Sequence, residues 1–411
     1  MKFSLTLAGL IGLASASPFT EHDTSNGLMP RGGKCNWKDK YCCTYPDQYK
    51  DTPKGPTEKK YYGYGRTVYV KAGKKIQRAL DKASPGDRII VEAGTYEEQL
   101  VIKTDGIQLE GRPGATLIKP DKYKKNACTG ITQDDKKQDT QVGICIIGYK
   151  VKLTKFITEH KRVESVERPV KGVSVTGFTV QGFSGINIAV VGAKNTHIAA
   201  NKLIDAPAYG SLTLGSVNTV YTENVVTTTA GGFIGICMDN KSDVKVRGNE
   251  VSASYIGLCV QTDGAVLEYN TLHDNCVGIF VDPGVKNVKI AHNDISNAPS
   301  ACPNASGITL GSAIGTVVRD NKIKGQHAVG KSGTGILIYD DNCKATPQQP
   351  LSLSCIVLGR AVKATDNVVI RNILSDNDND IVVLSKGKGN IVKCNTCENP
   401  ANLKAGQCKK P

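Results

Sequence analysis

From Thr67 onward the chain is written in short apolar stretches divided by polar bends. Val68-Tyr69-Val70 alternates as a strand does, then Ile76, Ala79, Leu80 and Ala83 fall at helical spacing before the breaker Pro85-Gly86. The pattern predicts one short amphipathic helix near residue 76, followed by strands at residues 88–92, 99–102 and 106–110 with turns at Ala93-Gly94 and Thr104-Asp105. From Gly172 the pattern repeats itself. An Asn followed two places later by an aliphatic residue recurs at Asn201, Asn224, Asn249, Asn270, Asn293 and Asn321, at intervals of 21 to 28 residues. A second column, Gly followed by an aliphatic residue, runs through Gly185, Gly235, Gly257, Gly278, Gly307 and Gly335, with Gly210 one place out of step.

Repeats of this length built from short alternating strands mean a solenoid, either leucine-rich or β-helical. Leu does not dominate and no helix-length segment separates the strands, which decides for the β-helix. The expected fold is all-β: a single-stranded right-handed parallel β-helix with a short N-terminal capping helix and disulfide-rich ends. Each coil pairs its strands with those of the next coil about 4.8 Å away. Inward Val and Ile stack into a continuous core. Gly and Asn supply the unusual backbone angles of the bends, and stacked Asn side chains can hydrogen-bond along the axis.

Composition sets the surroundings. Residues 1–16 have the charged, apolar and small-residue parts of a secretory signal, so secretion to the extracellular space is expected. No later apolar run is long enough for a transmembrane segment. Fourteen Cys, without metal-ligand spacing, suit disulfides in an oxidising compartment. Residues 17–65, with Cys35, Cys42 and Cys43, read as an irregular segment. The β-helix is expected over 66–397, interrupted by a Lys- and Asp-rich insert at 119–169 that is long enough to be a functional loop or lid, and the tail 398–411 closes the domain. Asn240 and Asn304 head glycosylation sequons. The formal charge of +14 points to an anionic partner, an acidic polysaccharide or a cell-wall glycan, bound by a monomer. Nucleic acid is excluded by secretion and by the absence of its binding motifs.

The block from Val68 to Gly111, VYVKAGKKIQRALDKASPGDRIIVEAGTYEEQLVIKTDGIQLEG, resembles the opening of pectin-lyase-like β-helix proteins. Later coils such as NTLHDNCVGIFVDPGVKNVKIAHNDI, residues 270–295, resemble the parallel β-helix repeats of carbohydrate-active proteins. The resemblance implies the fold over most of residues 66–397 and leaves the reaction open, because lyases, glycoside hydrolases, epimerases, esterases and adhesins share it. Of the motif set of polygalacturonase-like enzymes, Asp340-Asp341 alone matches.

Stacking the Gly column brings distant residues onto one wall. With the residue after each Gly pointing inward, alternation turns the others outward. Phe183, Tyr209, Phe233 and Tyr255 then form an aromatic row that can carry sugar rings. Four places after the Gly stand Asp239, Gln261 and Asp282, with Tyr339 and Asp340 two turns on. Asp239 and Asp282 would lie about 9.5 Å apart, which suits the acid and base of inverting glycoside hydrolysis. The same pair could instead hold Ca²⁺ against a uronate while Lys241, His273 or Tyr339 removes a ring proton in β-elimination. Cys237 and Cys259, on adjacent turns, are expected to form a disulfide. A basic row of Lys245, Arg247, Lys289 and Arg319 would attract the anionic chain. The leading reading is a lyase on an acidic, uronate-containing polysaccharide; a glycoside hydrolase using paired Asp is second, and a non-catalytic carbohydrate-binding or host-interaction protein third.

Overall fold

A computed structural model describes residues 65–122, 124–345, 351–400, 403–404 and 406–410. The signal segment and Cys35, Cys42 and Cys43 lie outside the described residues. Three sheets of 13, 12 and 10 strands run the length of the molecule, and each coil gives one strand to each sheet in turn. Pairing from coil to coil is parallel, so one position stacks over many turns. Ile188, Ser211, Ile236, Leu258, Ile279, Ile308, Ile336 and Ile381 make such a column on the inner face of the third, 10-stranded sheet. All eight are buried. Ser211, the one polar member, donates its hydroxyl to the Ile188 carbonyl at 2.9 Å and meets the Tyr221 hydroxyl at 3.0 Å, so the interior takes an oxygen there without an orphan.

The Asn column is a continuous ladder between the first and second sheets. The Oδ1 of each Asn accepts from both the backbone N–H and the Nδ2 of the Asn one coil earlier, through Asn201, Asn224, Asn249, Asn270 and Asn293 to Asn321. Two further members, Asn372 and Asn395, extend it across a wide sequence gap. The left-handed backbone angle belongs to the residue before each Asn: Ala200, Glu223, Tyr269, His292, Asp320, Arg371 and Cys394 have φ between 52° and 57°. The ladder Asn residues therefore do not supply the bend angle, although Asn195, Asn218, Asn287 and Asn297 do so at other bends, and Gly248 does so before Asn249. Each ladder side chain satisfies the backbone groups that the bend frees, which offsets the strain of a non-Gly left-handed residue beside it.

The ends are closed as the pattern predicts. Helix α1 (Ile76–Asp81) lays Ile76 and Leu80 on the first coil, and Glu98 accepts from the backbone N–H groups of Ile76 and Gln77 at its N-terminus. At the other end Cys397–Cys408 ties a short final strand, Cys408–Lys409, to the last coil. No helix among the described residues is long and apolar enough to cross a membrane.

Two boundaries differ from the sequence reading. The 119–169 insert is not one excursion, because Val142–Ile147 returns to the third sheet between Leu100–Ile102 and Ile186–Val191. What remains is a loop pinned by Cys128–Cys145 and an antiparallel hairpin, Tyr149–Leu153 with Val163–Arg168. A second excursion, between Tyr339 and Val368, carries helix α2 (Leu353–Leu358) and is fastened by Cys343–Cys355. The Gly column also shifts. Ser211 pairs with Ile236, so Gly210 stands in register with Gly235, whereas Ile188 pairs with Ser211 and puts Asn187 in the place expected for Gly185.

The sequons separate by burial. Asn240 is 7% exposed, and its amide bonds Thr213 and, at 2.9 Å, Thr219 inside the coil, so it does not present a glycan acceptor. Asn304 is half-buried.

Candidate functional site

The outer face of the third sheet is not an open wall. Cys128, Ile131, Val142, Cys145, Ile186, Leu212, Cys237 and Phe280 form a second apolar core there, with Val151, Leu153 and Val163 of the hairpin packed against it. This covers the early coils. The Cys237–Cys259 disulfide expected from the spacing lies within this layer.

The predicted aromatic row breaks up as a consequence. Phe183 belongs to the interior core, its ring 2.7 Å from where a Cβ on Gly143 would lie, which is why that position is glycine. Tyr209 stands beside Ile234 rather than Phe233 and is fully buried. It packs edge-on to Phe233, with ring centroids 6.0 Å apart, and to His160 of the hairpin at 5.8 Å. Phe233 and Tyr255 do share a position on adjacent coils, half-buried against the same layer. Phe183 is thus an interior core residue, and Tyr209, Phe233 and Tyr255 pack in the outer apolar layer and do not form an exposed platform.

The polar column holds its register. Leu214 pairs with Asp239, and the following coils place Gln261, Asp282, Gly311 and Tyr339 at the same level of the face. Each column member then meets a residue that the repeat does not contain. Arg162, from the hairpin, donates from Nε and Nη2 to the two Asp239 oxygens at 3.0 and 3.1 Å. Gln261 lies between Glu159 and His160: its Nε2 donates to Glu159 at 3.3 Å and its Oε1 sits 3.3 Å from the His160 Nε2. Glu159 also accepts the backbone N–H of Leu353, at the start of α2, at 3.1 Å. Ser354 of α2 donates its hydroxyl to Asp282 at 2.7 Å.

Burial decides the protonation of Asp282. It is 5% exposed, and desolvation first, then the nearby Glu159 charge, push its carboxyl from 3.8 up to about 8 despite the Ser354 and Gln261 hydrogen bonds. Burial thus favours the protonated form of this carboxyl. Asp239, two coils away, is instead half of an ion pair whose guanidinium holds its proton more tightly in return. The Tyr209, Tyr255 and Tyr339 hydroxyls lie buried without a hydrogen-bond partner, and burial raises all three phenols. Over this group opens a cleft of about 150 Å³, lined by Arg162, Asp239, Gln261 and Asp263 on one side and Leu353, Ser354 and Leu358 of α2 on the other.

The remaining candidates lie elsewhere or do other work. Lys241 is exposed in the turn leaving the third sheet; neither it nor Asp282 lines the cleft, but Asp282 lies directly behind the lining residue Ser354, to which it is bonded. His273 is on the second sheet, where Asp274 at 2.7 Å and Glu250 at 3.3 Å raise its pKa. Tyr339 is in the column, but burial keeps its proton in place. Asp340 clips coils together, accepting from the backbone N–H groups of Ala364 and Lys386 and from the Ser385 hydroxyl. None of the four stands as a base beside Asp239 and Asp282. The pair is poorly disposed to hold calcium: both Asp239 oxygens engage the Arg162 guanidinium, and one Asp282 oxygen is bonded to Ser354. The basic row sits on the first sheet, where Arg247 covers the Tyr269 ring at 4.8 Å and Arg319 pairs with Asp320.

A solenoid of parallel coils whose outer face is roofed by two excursions over a buried acid and an ion-paired carboxylate defines a β-helix protein with a cleft between the two excursions. The family model for the right handed beta helix region matches residues 184–350 and 234–406, more than half of the chain, and the chain belongs to that family. Among solved structures it resembles the Dettilon tailspike protein, at 11% identity over 77% of this chain and 56% of that one, with a TM-score of 0.51. It also resembles the Family 28 exopolygalacturonase of Yersinia enterocolitica (14% identity, 84% of this chain and 79% of that one, TM-score 0.49). A third is the alginate lyase of Paenibacillus sp. (12% identity, 84% and 98%, TM-score 0.45). At such identities the likeness is one of fold. No curated protein matches the sequence.

Proposed function

We propose that this protein cleaves glycosidic bonds of an acidic polysaccharide by hydrolysis, with Asp282 as the proton donor. The observation that carries the reading is the contrast within one column: a buried Asp282 with an uncharged partner, whose carboxyl burial pushes upward, and an ion-paired Asp239 on alternate coils. One carboxyl group pushed toward its protonated form by burial and a second held in an ion pair are the acid and the carboxylate that glycoside hydrolysis needs. Asp282 would protonate the leaving oxygen once Ser354, which stands between it and the cleft, moves aside, and Asp239, whose oxygens each keep a lone pair beside Arg162, would orient the attacking water and take up its proton as the glycosidic bond breaks. The positive net charge supports an anionic substrate.

Elimination is less well served, because the groups that could remove a ring proton are distant, charge-paired or held protonated. A non-catalytic binding role is supported by the roof over the face. Incubation with polygalacturonate, alginate and glucuronan separates the three readings. The expected result is a rise in reducing ends from one of them, without the ultraviolet absorbance of an unsaturated uronate and unchanged by a chelator. That absorbance would point to a lyase, and binding without either product to a carbohydrate-binding protein.

A further inference from the structure

Resting on that reading, we infer that the cleft admits the end of a polysaccharide and not its middle, so that the protein removes units from a chain terminus. A β-helix wall can accommodate a polymer along its axis only if the coils on both sides of the reacting position are open. Here both are closed. Toward the N-terminus the hairpin lies directly on the wall: a Cβ on Gly192 would stand 2.7 Å from Val166, and one on Gly215 would stand 2.5 Å from Val163. Those are side-chain contacts against the backbone of the coils next to Asp239, with no gap for a sugar ring.

Toward the C-terminus the second excursion does the same. A Cβ on Gly284 would lie 2.8 Å from Leu358. On the coil after Asp282, the Ser312 hydroxyl donates to the Val362 carbonyl at 2.8 Å and accepts the Asp341 N–H at 2.7 Å, so the excursion is bonded to the wall itself. The two excursions also meet each other, through Glu159 and the Leu353 N–H. Between them is a cleft of about 150 Å³, below the roughly 300 Å³ at which ligand pockets usually begin. It is open outward and blocked along the axis.

The same cleft suits a charged terminus. Arg162 spends Nε and Nη2 on Asp239, and the N–H groups of Nη1 are left to face a uronate carboxylate. Val285, Val357 and Leu358 offer apolar surface opposite the polar residues, for the less polar face of a ring.

The test is the time course of products from the full-length secreted protein on whichever of the three polyuronates yields reducing ends, with viscosity followed in parallel. The expected result is single uronate units, or one short product, from the first time points. Viscosity should fall by less than a tenth while reducing ends climb linearly, and chains blocked at their termini should be resistant. A ladder of long oligomers with an early collapse of viscosity would overturn the inference and leave hydrolysis standing. Absence of release from all three substrates would overturn both.

Discussion

Replacing Asp282 by Asn is expected to lower the rate of polysaccharide cleavage by about 10²- to 10⁴-fold, the range by which a positioned proton donor accelerates such reactions. The substitution isolates the proton. A protonated carboxyl and a carboxamide have nearly the same shape, and the Asn carbonyl oxygen can still accept the Ser354 hydroxyl, so the buried contacts stay satisfied. In the unaltered protein, activity should persist while Asp282 keeps its proton and fade as pH rises through about 8. The same group leaves a mark on stability. Its folded value, about 8, lies above the ordinary 3.8, so between those limits the folded chain holds a proton that the unfolded chain has released. Stability therefore falls as pH rises through that window. His273 and His327, raised by their carboxylate neighbours, lose stabilisation in the same direction as they deprotonate. The slope removed by Asp282→Asn is the part that belongs to Asp282. Thermal unfolding of both proteins from pH 4 to 8 measures it, and identical slopes would mean that Asp282 is ionised.

Replacing Asn270 by Ala should cost about 3 kcal/mol, among the largest single losses available in the coil. The Asn270 side chain makes four buried bonds: Oδ1 accepts the N–H and the Nδ2 of Asn249, and Nδ2 donates to the Val246 carbonyl and to Asn293. Alanine leaves the Asn249 N–H facing a void in a buried bend, and an unmatched buried donor costs more than a lost exposed bond. Asn218 is the control. Its Nδ2 bonds Asn195 at the surface, at 2.9 Å, and its backbone is left-handed at φ 55°, so Asn218→Ala should cost about 1 kcal/mol, from the backbone and not from the exposed bond. Guanidinium unfolding midpoints compare the two, and equal losses would mean that the ladder contributes nothing beyond its surface counterpart.

The fold was legible in the sequence because each coil must solve the same backbone problem, and the solution leaves a periodic mark. Asn201 to Asn321 carry that mark, and Ile236, Leu258 and Ile279 follow from alternation. The register of Asp239, Gln261, Asp282 and Tyr339 came from the same repetition, as did the Cys237–Cys259 bridge. The ladder was lost at Asn372 and Asn395 because the second excursion stretches the interval from Asn321 to 51 residues, beyond any period set by the coils.

The site was legible only in half. Asp239 and Asp282 stand where stacking puts them, but Glu159, His160, Arg162 and Ser354 come from excursions that obey no repeat. The charged run Glu159-His160-Lys161-Arg162 inside an insert already marked as a lid was the available signal. The aromatic row failed for a local reason. At the bend into the third sheet Gly210 is in step with Gly235, which sets Tyr209 beside Ile234 and not Phe233, while Asn187 takes the place expected for Gly185 and Phe183 turns inward.

The roles of Asp239 and Asp282 are tested most directly by the anomeric configuration of the first product, read by proton NMR within minutes of adding the protein to its substrate. Two carboxyl groups on alternate coils, about 9.5 Å apart at the backbone, leave room for a water between acid and bond. Signals of the inverted anomer should appear before the retained one grows in by mutarotation. Retention from the first spectrum would require a nucleophile within bonding reach of the sugar, and would contradict the assignment of Asp239 and Asp282 as an acid and a water-orienting carboxylate.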